Sequence, residues 1–326
     1  MNILETPAAP PRTTNPEGET RRVGVEVEFA AVTAREGARI VRDLFGGTIR
    51  EEDAHRFHVE DTQFGTFTSE LDTQYAHKPY GAREGDEFAG FRAEMRRLFG
   101  DLSSLVMPCE IVCPPIAWDR LAALDGLVRA LNAAGAEGTR ASPFYAFGVQ
   151  LNPEIATDEP GWIDDVLRAY LLASPWLRAA MALDLTRRAV SFADPFPHDY
   201  VAATVRGAGH PTLAALIDAY LDANPTRNRE LDMLPLFAHL DPDRLRARID
   251  DPRVGARPTF HYRLPDANLG QPDWSICLEW NRWCAVERLA GDRDLLDRVA
   301  ADWAVRASGP GLKDWPLRFS QWMILS

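Results

Sequence analysis

Apolar and polar positions alternate in the stretch RRVGVEVEFAAV, Arg21–Val32. Val23, Val25, Val27 and Phe29 fall on one side of an extended chain, and Glu26 and Glu28 fall on the other. The pattern predicts a strand over 22–30 and then a helix in TAREGARIVRDLFG, with Ile40, Val41, Leu44 and Phe45 on one side and Gly46-Gly47 as its stop. RFHVED and GTFTSELDTQ read as strands broken by Gly65, and EFAGFRAEMRRLFGDLSS as a helix. LVMPCEIVCPP predicts a short strand ending at Pro114-Pro115, followed by a helix in WDRLAALDGLVRALNAAGAEGT and an extended PFYAFGVQLNPEI. From about 161 to 250 the pattern is mostly helical, with pre-proline turn signals at Ser174 and Asp241. PTFHYRLPD and WSICLEW read as extended, and one last helix is expected through NRWCAVERLAGDRDLLDRVAADWAV.

These elements predict a β-rich part that surrounds a helical insertion, and the strands are not the continuous apolar runs of a doubly wound parallel sheet. Residues 1–20 read as a flexible arm, 21–307 as one domain with a helical insertion at about 161–250, and 308–326 as a tail.

The strand spacing of Glu26 and Glu28 recurs. Glu70 and Asp72, Gln150 and Asn152, His261 and Arg263, and Cys277 and Glu279 are each two residues apart, and Glu110 heads EIVCPP. If the strands neighbour one another, these groups form one acidic floor with Arg263 near its edge. An amphipathic sheet with a solvated polar face has the same pattern. Crowded carboxylates repel one another unless a cation sits among them, and an all-oxygen set suits Mg²⁺ or Mn²⁺. The chemistry such a floor points to is metal-assisted phosphoryl transfer. Asp61 reads as a turn residue and Glu287 as part of a solvated helix face. Glu279 either faces the floor or pairs with Arg263.

The composition narrows the class. The chain has 326 residues, 46% hydrophobic and 26% charged, and a net charge of −12. That acidity argues against a nucleic-acid surface. No apolar run is long enough for a membrane span and no secretory signal is evident, so a cytoplasmic location is expected. Cys109, Cys113, Cys277 and Cys284 lack zinc-site spacing and read as buried thiols; His55, His58 and His77 form no zinc triad. No P-loop or G-x-S-x-G motif occurs, and the sequence sets no oligomeric state.

RVGVEVEF, ELD, EIVCPP, the G-x-Q-x-N of FGVQLNP, and YRLP followed by LEWNRW together resemble the amidoligase family. These are carboxylate–amine ligases with a glutamine synthetase or glutamate–cysteine ligase type of fold, which implies an α+β catalytic domain over 21–307 whose curved, mainly antiparallel sheet forms the acidic floor, with helices packed behind it. The resemblance runs from about Arg21 to Ala304 and implies ATP- and Mg²⁺-dependent amide or isopeptide formation through an acyl phosphate. Its substrates would be small-molecule or peptide carboxylates and amines. By resemblance, Glu26, Glu28, Glu70 and Glu110 are candidate metal ligands. Arg263 is the candidate catalytic cation on the transferring phosphoryl group, and Gln150, Asn152 and Arg263 are candidate ATP contacts. Many members carry histidines where Gln150 and Asn152 stand, and an amide cannot replace the acid–base chemistry of an imidazole. A metal-dependent hydrolase on the same floor, or a binding protein of the same fold with a degenerate site, are the alternative readings.

Overall fold

A computed structural model of the protein describes residues 4–71, 108–141, 147–181, 193–207, 209–308 and 310–325. The helix expected over 87–104, Asp72 and His77 lie outside the described residues. In chain order the first elements are β1 (Arg22–Phe29), α1 (Ala34–Phe45), β2 (Thr48–Asp53), β3 (Arg56–Thr62), β4 (Gly65–Leu71), β5 (Cys109–Ala117), α2 (Ala122–Ala133) and β6 (Val149–Pro153). Then come α3 (Pro160–Met181), α4 (His198–Arg206), α5 (Leu213–Ala223), β7 (Leu231–Asp232), α6 (Leu234–Leu240) and α7 (Pro242–Arg246). The described chain closes with β8 (His261–Tyr262), α8 (Ile276–Gly291), α9 (Arg293–Ala307) and α10 (Trp315–Leu325). This is α+β architecture: one open sheet in the order β2-β3-β4-β5-β1-β6-β8-β7, with every strand pairing antiparallel.

Alternation gives the sheet its two faces. Val23, Val25, Val27 and Phe29 of β1 are fully buried, and the register sets Val25 beside Cys113 and Leu151, and Leu151 beside Tyr262. On this apolar face α1 packs against β3 and β4, and α8 packs against α3. Thr33 caps α1 through a reciprocal capping box with Glu36, and Gly46 ends it at a positive φ of 79°. The buried side of α1 is Ala34, Gly37, Ala38, Val41 and Phe45, whereas Leu44 is exposed. A Cβ on Gly37 would lie 2.6 Å from Ser69 Oγ, so glycine lets the helix approach β4 closely.

Several expected boundaries move. β5 continues through Pro114-Pro115 because the β1–β5 register slips between Val23 and Val25, and such a bulge tolerates residues without an N–H. α3 runs through Pro175, held by packing of Tyr170, Leu171, Leu172 and Leu177 in the core. WSICLEW is not a strand. Ser275 accepts a hydrogen bond from Leu278 N at 2.9 Å, Asp125 on α2 accepts from Ile276 N at 2.7 Å, and the chain enters α8. The last helix is two, because Asp292 ends α8 and caps α9 by accepting from Leu295 N at 2.9 Å.

Both terminal stretches carry packed contacts. Ala8 N donates to Asn281 Oδ1 at 2.6 Å, and Trp280 Nε1 donates to Ala8 O at 2.8 Å. At the other end Trp315 and Phe319 are buried, and Trp315 Nε1 donates to Leu172 O at 2.8 Å. Among the described residues no helix is long and apolar enough to cross a membrane.

Candidate active site

The polar face collects the residues that alternate with the core. Glu28 of β1 stands beside Glu110 of β5, Glu110 beside Glu70 of β4, and Glu70 beside Arg56 of β3. One cross-strand row therefore holds three carboxylates and an arginine. The next row sets Gln150 beside Glu26, Glu26 beside Val112, and Val112 beside Thr68. Side chains directly opposite on one face have Cβ atoms about 5 Å apart, so neighbours within a row interact. Asn152 lies beside Gly24, which has no side chain to obstruct it. On the short β8, Leu151 pairs with Tyr262, which turns Tyr262 into the core and His261 and Arg263 towards the polar side. Asp232 of β7 stands beside His261.

The two rows differ in charge. Around Glu26 the carboxylate accepts from Asn152 Nδ2 at 2.9 Å, with His261 Nε2 at 3.8 Å and Arg257 Nη1 at 3.6 Å. Burial alone would raise the Glu26 carboxyl. His261, with Arg257 and Arg263, outweighs it and holds the pKa at about 2. The His261 distance is longer than a hydrogen bond. His261 also lies 3.9 Å from Asp232 Oδ2, the atom that Arg263 Nε approaches at 3.9 Å. Asp232 is fully buried, and burial pushes its carboxyl up despite Arg263 and His261.

In the acidic row Glu70 and Glu110 are both less than one-tenth exposed. Arg56 Nε donates to Glu70 Oε2, and Gly148 N donates to Glu28 Oε2 at 2.7 Å. The donor chemistry, carboxylate oxygens from adjacent strands, fits a hard divalent cation. Among the described residues no three His, Cys, Asp or Glu groups yet converge as a metal-binding cluster. In and beside the second row, towards β8 and β7, the buried atoms Gln150 Oε1, Asn152 Oδ1, Asp232 Oδ2 and both ring nitrogens of His261 have no hydrogen-bond partner among the described residues. Buried polar atoms are ordinarily paired, so this cluster is built to meet another molecule or water.

All seven candidates from sequence, Glu26, Glu28, Glu70, Glu110, Gln150, Asn152 and Arg263, stand on strands of this sheet or at the end of one. Other candidates go elsewhere. Glu279 is on α8, where its Oε1 accepts from Trp274 Nε1 at 2.9 Å and pairs with Arg282 at 2.6 Å, not with Arg263. Glu287 is fully buried, not solvated, in a two-point pair with Arg21 at 2.6 and 2.7 Å. Asp61 has a positive φ of 57° and is exposed, as a turn residue would be. His58 donates or accepts at Thr68 Oγ1, 3.1 Å, and Glu52 Oε2, 2.7 Å.

Sequence reasoning missed Asp232, Arg56 and Arg257. For Asp232 a signal existed: Glu230-Leu231-Asp232 repeats the order of Glu70-Leu71-Asp72. Arg257 lies in a loop whose approach to Glu26 depends on chain folding alone.

Comparison with curated proteins finds no match, and comparison with solved structures finds none. The family model described as "Putative amidoligase enzyme" matches residues 19–285, a span that contains both rows of the polar face. By that match over most of its length, the chain belongs to the amidoligase family.

Proposed function

We propose that the protein is an ATP-dependent carboxylate–amine ligase of the glutamine synthetase or glutamate–cysteine ligase type, working on the polar face of the sheet. The observation that carries this reading is the cross-strand row Glu28–Glu110–Glu70 beside a second row whose Glu26 is met by Arg257 and Arg263. Phosphoryl transfer needs both characters close together: acids to hold a divalent cation, and cations to meet the transferring phosphate. Glu28, Glu110 and Glu70 would hold Mg²⁺, or Mn²⁺, which when bound supplies positive charge to phosphate oxygens. Glu26, already matched to His261 and Arg257, orders the cationic side of the face.

In this reading a substrate carboxylate oxygen attacks the γ-phosphorus of ATP, and ADP leaves. The amine nitrogen then attacks the acyl carbon, loses a proton, and inorganic phosphate departs. Arg263 stabilises charge on the phosphoryl group, while Gln150 Oε1 and Asn152 Oδ1 accept hydrogen bonds from bound nucleotide or amine. No side chain of the protein needs to become a covalent intermediate.

Calorimetric titration of ATP with and without Mg²⁺, followed by ADP-release assays over a panel of carboxylates and amines, tests it. Metal-dependent ATP binding in the wild type is expected to be lost in Glu28→Gln and Glu110→Gln. ADP release is expected to fall by about 100-fold or more in Arg263→Gln, the scale seen when one electrostatic stabiliser is removed. A folded wild type that binds no nucleotide with any divalent cation sinks the ligase reading.

A further inference from the structure

Away from the two rows, the turn Thr139–Ala141, the end of α3, the loop 268–274 and the start of α8 enclose a cavity of about 40 Å³. Its lining includes Arg140, Asn268, Asp273, Trp274, Met181 and Arg282. None of these was a candidate from sequence, and none touches Glu26 or Glu28 in the contacts described above.

The cavity has opposite charges and a buried acceptor. Arg282 is fixed: one nitrogen pairs with Glu279 Oε1 at 2.6 Å and another donates to Ala180 O at 3.0 Å. A guanidinium has five N–H groups, so donors remain. Arg140 and Asp273 are exposed, and neither makes an ion pair among the described residues. Asn268 is only 5% exposed, and its Oδ1 has no hydrogen-bond partner among the described residues. That orphaned atom asks for an N–H donor, while Arg140 asks for an anion.

The walls are also fixed in place. Thr139 N donates to Ala267 O at 2.9 Å, Gln271 N donates to Asn268 O at 3.1 Å, and Trp274 is locked to Glu279 through its indole. At Gly138 a Cβ would lie 2.1 Å from Ala267 O, so only glycine lets the turn carrying Arg140 close on this loop. A rigid site costs less ordering on binding than a mobile one.

We propose that this cavity binds the head group of a free amino acid, with the carboxylate at Arg140 and Arg282 and the ammonium at Asn268 Oδ1 and Asp273. The cavity opens to solvent beside the exposed Arg140 and Asp273, leaving the ligand's side chain to extend outwards. The pocket joins the acidic row through the backbone: Asn268 lies two residues after Asp266, which bridges to Gly148, the residue whose N–H holds Glu28. As a statement about the enzyme's substrate, the assignment rests on the ligase reading; as a binding site it does not.

The test is isothermal titration of glycine, L-alanine and L-glutamate into the full-length protein, without ATP or Mg²⁺. N-acetylglycine and glycine methyl ester serve as ligands with one charge removed. At least one free amino acid is expected to bind, with both blocked forms weakened about tenfold or more, as loss of one charge-assisted contact implies. Arg140→Gln and Asp273→Asn, both at exposed positions that should leave the fold intact, are expected to weaken it by a similar factor. No binding by any of the three amino acids overturns the proposal. So does binding that only one of the two charges affects, or that neither variant changes. Because nucleotide and metal are omitted, failure here leaves the ligase reading standing, and success does not depend on ADP release.

Discussion

Single residues show where local pattern is enough and where it fails. Glu26 and Glu28 could be placed on one face from spacing alone, because strand geometry fixes the alternation. Glu287 could not. It lies on a helix with charged neighbours, and only the folded chain reveals that Arg21 reaches it from 266 residues away. Trp283 Nε1 donates to the same carboxylate at 2.8 Å, and Arg21 also donates to Glu154 O, so the pair is well satisfied. Removing one partner strands a buried charge. Arg21→Ala is expected to cost about 3–5 kcal/mol in urea unfolding. Adding Glu287→Leu to it should restore part of that loss, so the double variant is more stable than the sum of the single effects. An additive result would mean that the two charges do not compensate one another.

Among elements, the sheet was legible and the helix starts less so. Strands β1, β3 and β4 announce themselves by alternation, whereas Trp274–Trp280 mixes aromatic and apolar residues that suit either state. The deciding contacts are Ser275 at the cap and Asp125 from a distant helix, and only the first is local. The short β7 and β8 were hard to bound because each has two residues, and the register makes them strands. The close approach of α1 to β4 gives a direct test. Gly37→Val should push against Ser69 and destabilise the fold by about 1–3 kcal/mol in thermal or urea unfolding. α10 carries a pH dependence. Burial alone would raise Asp302, but hydrogen bonds from Trp322, Arg318 and Arg306 outweigh it and hold the carboxyl below its ordinary 3.8. A carboxyl depressed on folding lends stability above its unfolded pKa and loses it as pH falls through the folded value. Docking of α10 should therefore weaken from about pH 4 downwards, read by Trp322 fluorescence in a variant lacking the other half-buried indoles, Trp118 and Trp176. Asp302→Asn should flatten that transition.

On the scale of the molecule, one sheet divides the protein into a packed side and a chemical side. All four cysteines belong to the packed side or its helices and are buried. Burial pushes the Cys109 thiol up to about 11 and raises Cys113, Cys277 and Cys284 further. The native protein should react with a thiol-specific chromogenic reagent at pH 8 far more slowly than the same chain in guanidinium chloride, where all four should titrate. Rapid native labelling of any one would show that its surroundings open. The acidic row was readable from sequence because its members alternate with core residues. The surroundings of Glu26 were less so, since Asp232, His261 and Arg257 come together only when β7 and β8 join the sheet.

The Arg21–Glu287 pair also sets an order of events during synthesis. A chain leaving the ribosome presents β1 early, yet Arg21 has no carboxylate partner until residue 287 has emerged. β6, β8 and β7 reach the edge of the sheet in the same interval, bringing His261 and Arg263 to Glu26. Until then the central strand carries its charges in water, and a chain truncated before α8 has nothing to close that end of the molecule. The last quarter of the sequence thus acts as a check on completeness: it seals the first strand and supplies the arginines around Glu26 in one step.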